Sequence, residues 1–320
     1  MTSPVLALVF PGQGSQEVGM GRDVCEASRA AREVFQAADD ALSLPLSRLC
    51  FEGPEEELLR TEIQQPAILT TCIALLRALG ERADVAPAYT AGHSLGEYTA
   101  LVASRSLGFE DAVRMVHARG RFMQEAVAEG HGAMAAVLGA SESEVGEACR
   151  LAAAQTGRVV TPANYNSPGQ TVIAGDAMAV EVACAMARER GAKRTIPLAV
   201  SAPFHCVLMA PAAEKLALEL ARVRFADARP PVVTNVEAEP NTDGARFASL
   251  LREQVTAPVR FVEMVRRMHE LGVTKVLEIG PGRVLGGLVA RIDRRLSRAS
   301  LAVLGDLPAA ERFVSAGAES

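Results

Sequence analysis

The chain has 320 residues, 49% hydrophobic and 22% charged, with no tryptophan and a formal net charge of −5. That length supports a sizeable core in one large domain or two smaller ones, and the acidic balance argues against a nucleic-acid binder, which carries a basic excess. Six scattered cysteines (Cys25, Cys50, Cys72, Cys149, Cys184, Cys206) form no C-x-x-C pair, so zinc and dithiol chemistry lack support and the thiols read as reduced, mostly buried and cytoplasmic.

The first element is the run "VLALVF" from Val5. It is too short for the apolar region of a signal peptide, and no basic residue precedes it, so it reads as a buried strand. No apolar run approaches membrane-spanning length on this reading. The loop "PGQGSQ" follows. Gly12, Gly14 and Gly19 do not have the G-x-G-x-x-G spacing, and no Gly-Lys-Ser/Thr follows, which removes dinucleotide and P-loop readings. The loop is either a plain strand-to-helix turn or a place where backbone N–H groups approach an oxyanion. Helical stretches come next, among them "QPAILTTCIALLRAL" from Gln65.

"TAGHSLGEYTA", from Thr90, then sets Ser94 between two glycines as G-x-S-x-G. A nucleophile elbow needs small residues two before and two after the serine, because the backbone turns sharply there. Gly92 and Gly96 satisfy this. A glycine-flanked turn with a capping serine satisfies it too, so the pentapeptide alone leaves both readings open.

The middle of the chain changes rhythm. "GAMAAVLG" from Gly132 reads as a strand, "SESEVGEACRLAAAQ" from Ser141 as a serine-capped helix, and "RVVTPANYNSPGQTVIAG" from Arg158 as two strands around a turn. "DAMAVEVACAMARERG" from Asp176 is a second capped helix, and "AKRTIPLAV" a fourth strand. The order βαββαβ is that of a ferredoxin-like unit. Residues 129–199, from Glu129, therefore read as a small domain inserted into a larger α/β domain made of 1–128 and 200–300. "VTKVLEIG" from Val273 is a strand of the larger part. Residues 301–320 show no clear periodicity and are expected to form a partly disordered tail.

A serine nucleophile needs a base. His93 adjoins Ser94, and neighbouring side chains on an elbow diverge. His131 lies near the domain junction, and His269 in a charged helical stretch. His117 falls outside the apolar face of "DAVRMVHARGRFMQEAV". His205, in the loop "SAPFHCVLM", remains as the favoured base, against a simple capping role. The same wheel puts Arg119 inside the apolar arc, with Arg114 and Arg121 pointing away. Arg119 is either a snorkelling or paired arginine, or a guanidinium awaiting a ligand carboxylate, for which its planar fork is suited.

"FPGQGSQ", "GHSLGEY", "RGRFMQEAV", "NSPGQ", "APFHC" and "EIGPGRVL", in this order, give a chain that resembles the malonyl-CoA:acyl carrier protein transacylases of fatty-acid and polyketide synthesis. The likeness runs from Val5 to Ile292. It implies an α/β-hydrolase-like large domain with an inserted ferredoxin-like subdomain. It further implies Ser94 as the acylated nucleophile and His205 as its base. The backbone N–H groups of Gln13 and Leu95 are implied as the oxyanion hole, and Arg119 as the holder of the malonyl carboxylate. The family lacks a triad acid, and the backbone carbonyl of Gln254 is implied to orient the histidine instead. His93 and Asn166 match pocket-lining positions. Ala257 stands where many relatives carry Asn or Ser.

The resemblance implies a ping-pong reaction in which malonyl-CoA is a substrate, not a cofactor, with no bound metal. The partner implied is an acidic, phosphopantetheinylated acyl carrier protein, with no nucleic acid and no membrane, and a monomer is expected. Arg283 and the run "RIDRRLSR" from Arg291 are candidates for the carrier's docking patch, with a solvated helix face as the alternative. Phe204, before the base, resembles the malonyl-selective pattern, whereas a serine there marks acceptance of methylmalonyl. Two other functions stay in view: an acyl hydrolase acting on carrier proteins, and a non-catalytic carrier-binding module.

Overall fold

The computed structural model describes residues 4–128, 130–200 and 202–316. The expected boundary at Glu129 and the last positions of the tail, 317–320, lie outside them.

Strand β1, Val5–Phe10, alternates between two cores. Leu6, Leu8 and Phe10 join one buried cluster, and Ala7 and Val9 another. A parallel strand covered on both faces is apolar at every position, which accounts for the unbroken run "VLALVF". Helices α1 (Arg22–Ala27), α2 (Arg29–Leu42), α3 (Leu46–Glu52), α4 (Glu55–Leu58) and α5 (Thr61–Gly80) follow. By length and composition α5 could cross a membrane, contrary to the expectation that no run approaches that length. The stretch read as helical from Gln65 begins four residues earlier, and Gln64, Gln65, Thr70 and Thr71 interrupt its apolar character. It is buried along most of its length inside the larger core, so its apolar character serves packing.

Strand β2 (Tyr89–Gly92), α6 (Gly96–Ala103) and α7 (Phe109–Glu125) complete the first segment. The middle follows the expected order: β3 (Gly132–Leu138), α8 (Glu142–Thr156), β4 (Val160–Ser167), β5 (Gln170–Asp176), α9 (Ala177–Glu189) and β6 (Arg194–Pro197). Ser141 and Glu144 start α8 with a reciprocal capping box, and the Asp176 side chain caps α9. The remaining elements are α10 (Ala210–Leu220), β7 (Val232–Val233), β8 (Pro240–Asn241), α11 (Gly244–Gln254), α12 (Phe261–Glu270), β9 (Val273–Ile279), α13 (Val284–Ile292), β10 (Ser297–Leu301) and α14 (Leu307–Ser315).

For the described part of the tail, up to residue 316, the expectation of an irregular segment is overturned. β10 pairs in parallel with β9, and α14 docks on α5. Leu307, Ala310, Phe313 and Val314 fall at helical spacing and join the larger core. The pattern spans only nine residues, too few to stand out by periodicity.

Among the described residues the strands form two sheets. One has the order β10-β9-β1-β2-β7-β8, parallel except for the β7–β8 edge pair. The other, β4-β5-β3-β6, is antiparallel, and α8 and α9 cover one of its faces. β4 also bonds to the segment just before α12: the Val259 N–H donates to Ala163 O and the Tyr165 N–H to Val259 O. β1 and β2 run side by side and release their chains at the same end of the parallel sheet. That is where α/β sheets hold ligands.

Candidate active site

The turn after β2 has the geometry of an elbow. Ser94 adopts φ of 51°, a left-handed conformation that side-chain-bearing residues rarely occupy and that concentrates at functional sites. The flanking glycines are obligatory. A Cβ on Gly92 would lie 2.0 Å from the Gly96 backbone, and one on Gly96 would lie 2.1 Å from Phe10 O. Gly12 is similarly constrained, since its Cβ would meet His93 O at 2.5 Å. The "PGQGSQ" loop therefore lies flush against the elbow, and Gln13 and Ser94 border one cavity of about 320 Å³. Leu95 stands at the start of α6, where the first backbone N–H groups have no partner within the helix.

His205, also at positive φ (60°), meets Ser94 across this cavity. Ser94 Oγ lies 2.7 Å from His205 Nε2. On the far side of the ring, Nδ1 donates to Gln254 O at 2.9 Å and faces Ala257 O at 3.2 Å. Two carbonyls at Nδ1 fix the proton there and leave Nε2 as the bare acceptor facing the serine hydroxyl. Burial, helped by the charge of Arg119, pushes the imidazole down to about 3, so it stays neutral at physiological pH.

Arg119 reaches the same place from α7. It is only 2% exposed. Its Nη1 donates to Gln65 Oε1 at 2.8 Å, and Nη2 to Ser94 Oγ at 3.0 Å and Gln254 Oε1 at 3.1 Å. The guanidinium carbon sits 5.5 Å from the Tyr98 ring centre, a cation–π contact. Among the described residues no carboxylate lies within ion-pair distance of Arg119, and its Nε finds no hydrogen-bond partner. A buried cation normally has an anion. Here its direct partners are neutral, two amides and the Ser94 hydroxyl, with Gln254 bonded between it and the Glu97 carboxylate, and it lines a cavity.

The remaining expected positions divide. Phe204 lines the cavity and is almost fully buried. His93 lines it too, with Nε2 2.8 Å from Asn166 Oδ1. Asn166 itself, expected in the lining, stands behind His93, and the lining asparagine is Asn164. The pairing of β4 with β5 slips on either side of Asn164, and such irregularities re-aim side chains in a way that alternation along the sequence does not reveal. In the proposed docking run, Arg283 pairs with Asp306 and Arg295 with Asp293, while Arg291 donates to Gln170 and Arg294 is exposed.

Three residues that sequence reasoning passed over complete the surroundings. Gln65 holds Arg119. Asn235 accepts the Ser94 N–H at 2.7 Å and donates to Gly92 O at 2.7 Å. Glu97 accepts from both Asn235 and Gln254. The one available signal was Glu97 itself, an acid at the head of the otherwise apolar run "YTALVA".

Known proteins similar to this chain identify its family. The malonyl CoA-acyl carrier protein transacylase of Bacillus subtilis is 50% identical over 291 residues, 91% of either chain. The solved structure of a malonyl-transacylase in complex with its type II PKS acyl-carrier protein matches with a TM-score of 0.93 at 45% identity, covering 96% of this chain and 99% of that one. The malonyl CoA-acyl carrier protein transacylase of Clostridium perfringens matches with a TM-score of 0.94 at 41% identity, covering 99% and 100%. The family model described as the acyl transferase domain matches residues 7–307, and the chain belongs to that acyl transferase family.

Proposed function

We propose that the chain is a malonyl-CoA:acyl carrier protein transacylase that works through a malonyl ester on Ser94. The observation that carries the reading is the buried guanidinium of Arg119, in direct ion-pair contact with no carboxylate among the described residues, beside a serine–histidine pair. An esterase for neutral acyl groups has no use for a cation there. A malonyl thioester carries its free carboxylate two bonds beyond the reacting carbonyl carbon, within reach of a guanidinium that touches the nucleophile.

In the first half-reaction His205 Nε2 takes the proton of Ser94 Oγ as the oxygen attacks the thioester carbonyl. The backbone N–H groups of Gln13 and Leu95 hold the resulting oxyanion. The C–S bond breaks, and the imidazolium returns its proton to the departing CoA thiolate. In the second half the phosphopantetheine thiol of the carrier gives its proton to His205 and attacks the ester, and Ser94 leaves as the alcohol. Gln254 O stabilises the imidazolium in both halves, in the place of a triad acid. CoA is a substrate throughout, and neither metal nor cofactor takes part. We read the protein as a cytoplasmic monomer. The strand order β4-β5-β3-β6 supports a ferredoxin-like reading of the small sheet, and the elbow on a parallel sheet supports an α/β-hydrolase-like reading of the rest. On this reading the division falls at 129–199.

The test supplies malonyl-CoA and a holo carrier protein and follows the malonyl group. Malonyl-carrier should far exceed free malonate. Malonate as the main product would make the chain a hydrolase.

Phe204 gates the acyl group by volume. Its ring beside the base leaves little room for a methyl on the α-carbon, and close-packed walls relax poorly. One methyl is worth about 1–3 kcal/mol in such a pocket. Phe204→Ser should therefore raise kcat/KM for methylmalonyl-CoA relative to malonyl-CoA by about tenfold or more. An unchanged ratio would remove Phe204 as the gate.

The carrier, an acidic protein on this reading, needs a local basic patch on an acidic enzyme. Charge reversal at Arg294 and Arg295 should raise the apparent KM for the carrier, and the difference should shrink with added salt. An unchanged KM at low salt would take this patch out of the docking surface. Because Arg295 is already paired with Asp293, Arg294 should account for most of the effect.

A further inference from the structure

Glu97 lies in the first turn of α6, three residues after the nucleophile, and is only 1% exposed. A buried carboxylate is costly unless its lone pairs are filled. Its Oε2 accepts from the Asn235 N–H at 3.0 Å and from Gln254 Nε2 at 2.7 Å. These two residues bond in turn to the nucleophile's turn, the base and the arginine. Asn235 accepts the Ser94 N–H and ties Gly92 O. Gln254 donates to Ser94 O at 3.1 Å, accepts from Arg119 at Oε1, and accepts from His205 Nδ1 at its backbone oxygen. No step of the reaction proposed above uses Glu97.

We propose that Glu97 is a positioning residue: its carboxylate anchors Gln254 and Asn235 together, and through them sets the elbow, the base and the malonyl-binding arginine. An acid in a first helical turn also favours the helix dipole. That role asks for neither burial nor bonds to two residues remote in sequence.

The groups that face Glu97 define a pH dependence. Arg119 on α7 favours the ionised form, as do the bonds from Gln254 on α11 and from Asn235. Glu237, in the β7–β8 connection, opposes it. Burial outweighs them and pushes the carboxyl up to about 7. Below that pH the carboxyl is protonated, and its charge-assisted bonds weaken to neutral ones. Tyr98, also on α6, is pushed up by burial, away from this range. His205 is neutral well below it, and burial lowers His93 too. A rise in loading rate with increasing pH through about 7 therefore belongs to Glu97.

The inference rests on Ser94 and His205 as the reacting pair. The experiment measures kcat and KM for malonyl-CoA in the loading step from about pH 5.5 to 9, for the native chain and for Glu97→Gln, which keeps shape and acceptor but not charge. The native chain should show the rise. Glu97→Gln should lose it, with kcat down about tenfold and KM for malonyl-CoA within about twofold. A flat native profile overturns the proposal even if the variant does not fold. So does a folded Glu97→Gln that keeps both the native kcat and the rise. A native chain that never loads malonyl refutes the reading of Ser94 instead, so the two failures are distinct.

Discussion

Ser94→Ala is expected to abolish acyl-enzyme formation while the chain keeps its fold. The loss in kcat should be about a millionfold, the size found when the serine nucleophile of a Ser-His-Asp enzyme is removed. The fold should survive because alanine pays much the same cost as serine at positive φ, and the elbow is fixed by neighbours. Gly92, Gly96 and Asn235 set the turn, and His205 stays anchored by Gln254 O and Ala257 O. The check is intact mass after exposure to malonyl-CoA, paired with a melting curve. A stable malonyl adduct on the folded variant would remove Ser94 from the mechanism.

Arg119→Ala should lose malonyl loading selectively. A hydrogen bond to a charged group is worth about 1.5–3 kcal/mol, and a bidentate guanidinium–carboxylate pair has two, so the loss should reach at least about tenfold to a hundredfold. Acetyl-CoA carries no carboxylate and should lose far less, so the acetyl-to-malonyl ratio of kcat/KM should rise. Truncation also strips Gln65 and Gln254 of a shared donor and opens a void under Tyr98, so some stability is lost with it. The ratio separates the two effects. Equal losses for both thioesters would make Arg119 a structural residue.

Local chemistry made part of this site legible. The glycines at 92 and 96 are forced by backbone clashes that any elbow has, so a spacing of two carried the information. Arg119 stood out because a helix wheel places it where only apolar residues belong, and its burial follows from that face. Strand β1 was legible for the same kind of reason, as a run apolar at every position.

What stayed hidden is what depends on partners distant in sequence. Glu97, Asn235 and Gln65 look like ordinary polar residues, and their significance arises only when α6, the chain after β7 and α5 converge on the serine. Gln254 was expected to act through its carbonyl alone. Its side chain also bonds Arg119, Ser94 O and Glu97, which no motif specifies. Asn166 was expected in the lining from the resemblance, whereas the asparagine in the cavity wall is Asn164, beside which the pairing of β4 slips. The tail was misread because α14 gains its stability from docking on α5 rather than from its own short pattern.

The central claim is that Ser94 accepts a malonyl group chosen by Arg119 and Phe204. Its most direct test mixes the native chain with equal amounts of malonyl-, methylmalonyl- and acetyl-CoA, then combines intact-mass analysis with peptide mapping of the adduct. The account predicts one adduct, mostly malonyl, on the peptide that carries Ser94. An adduct on another residue, or equal loading by all three thioesters, would contradict it.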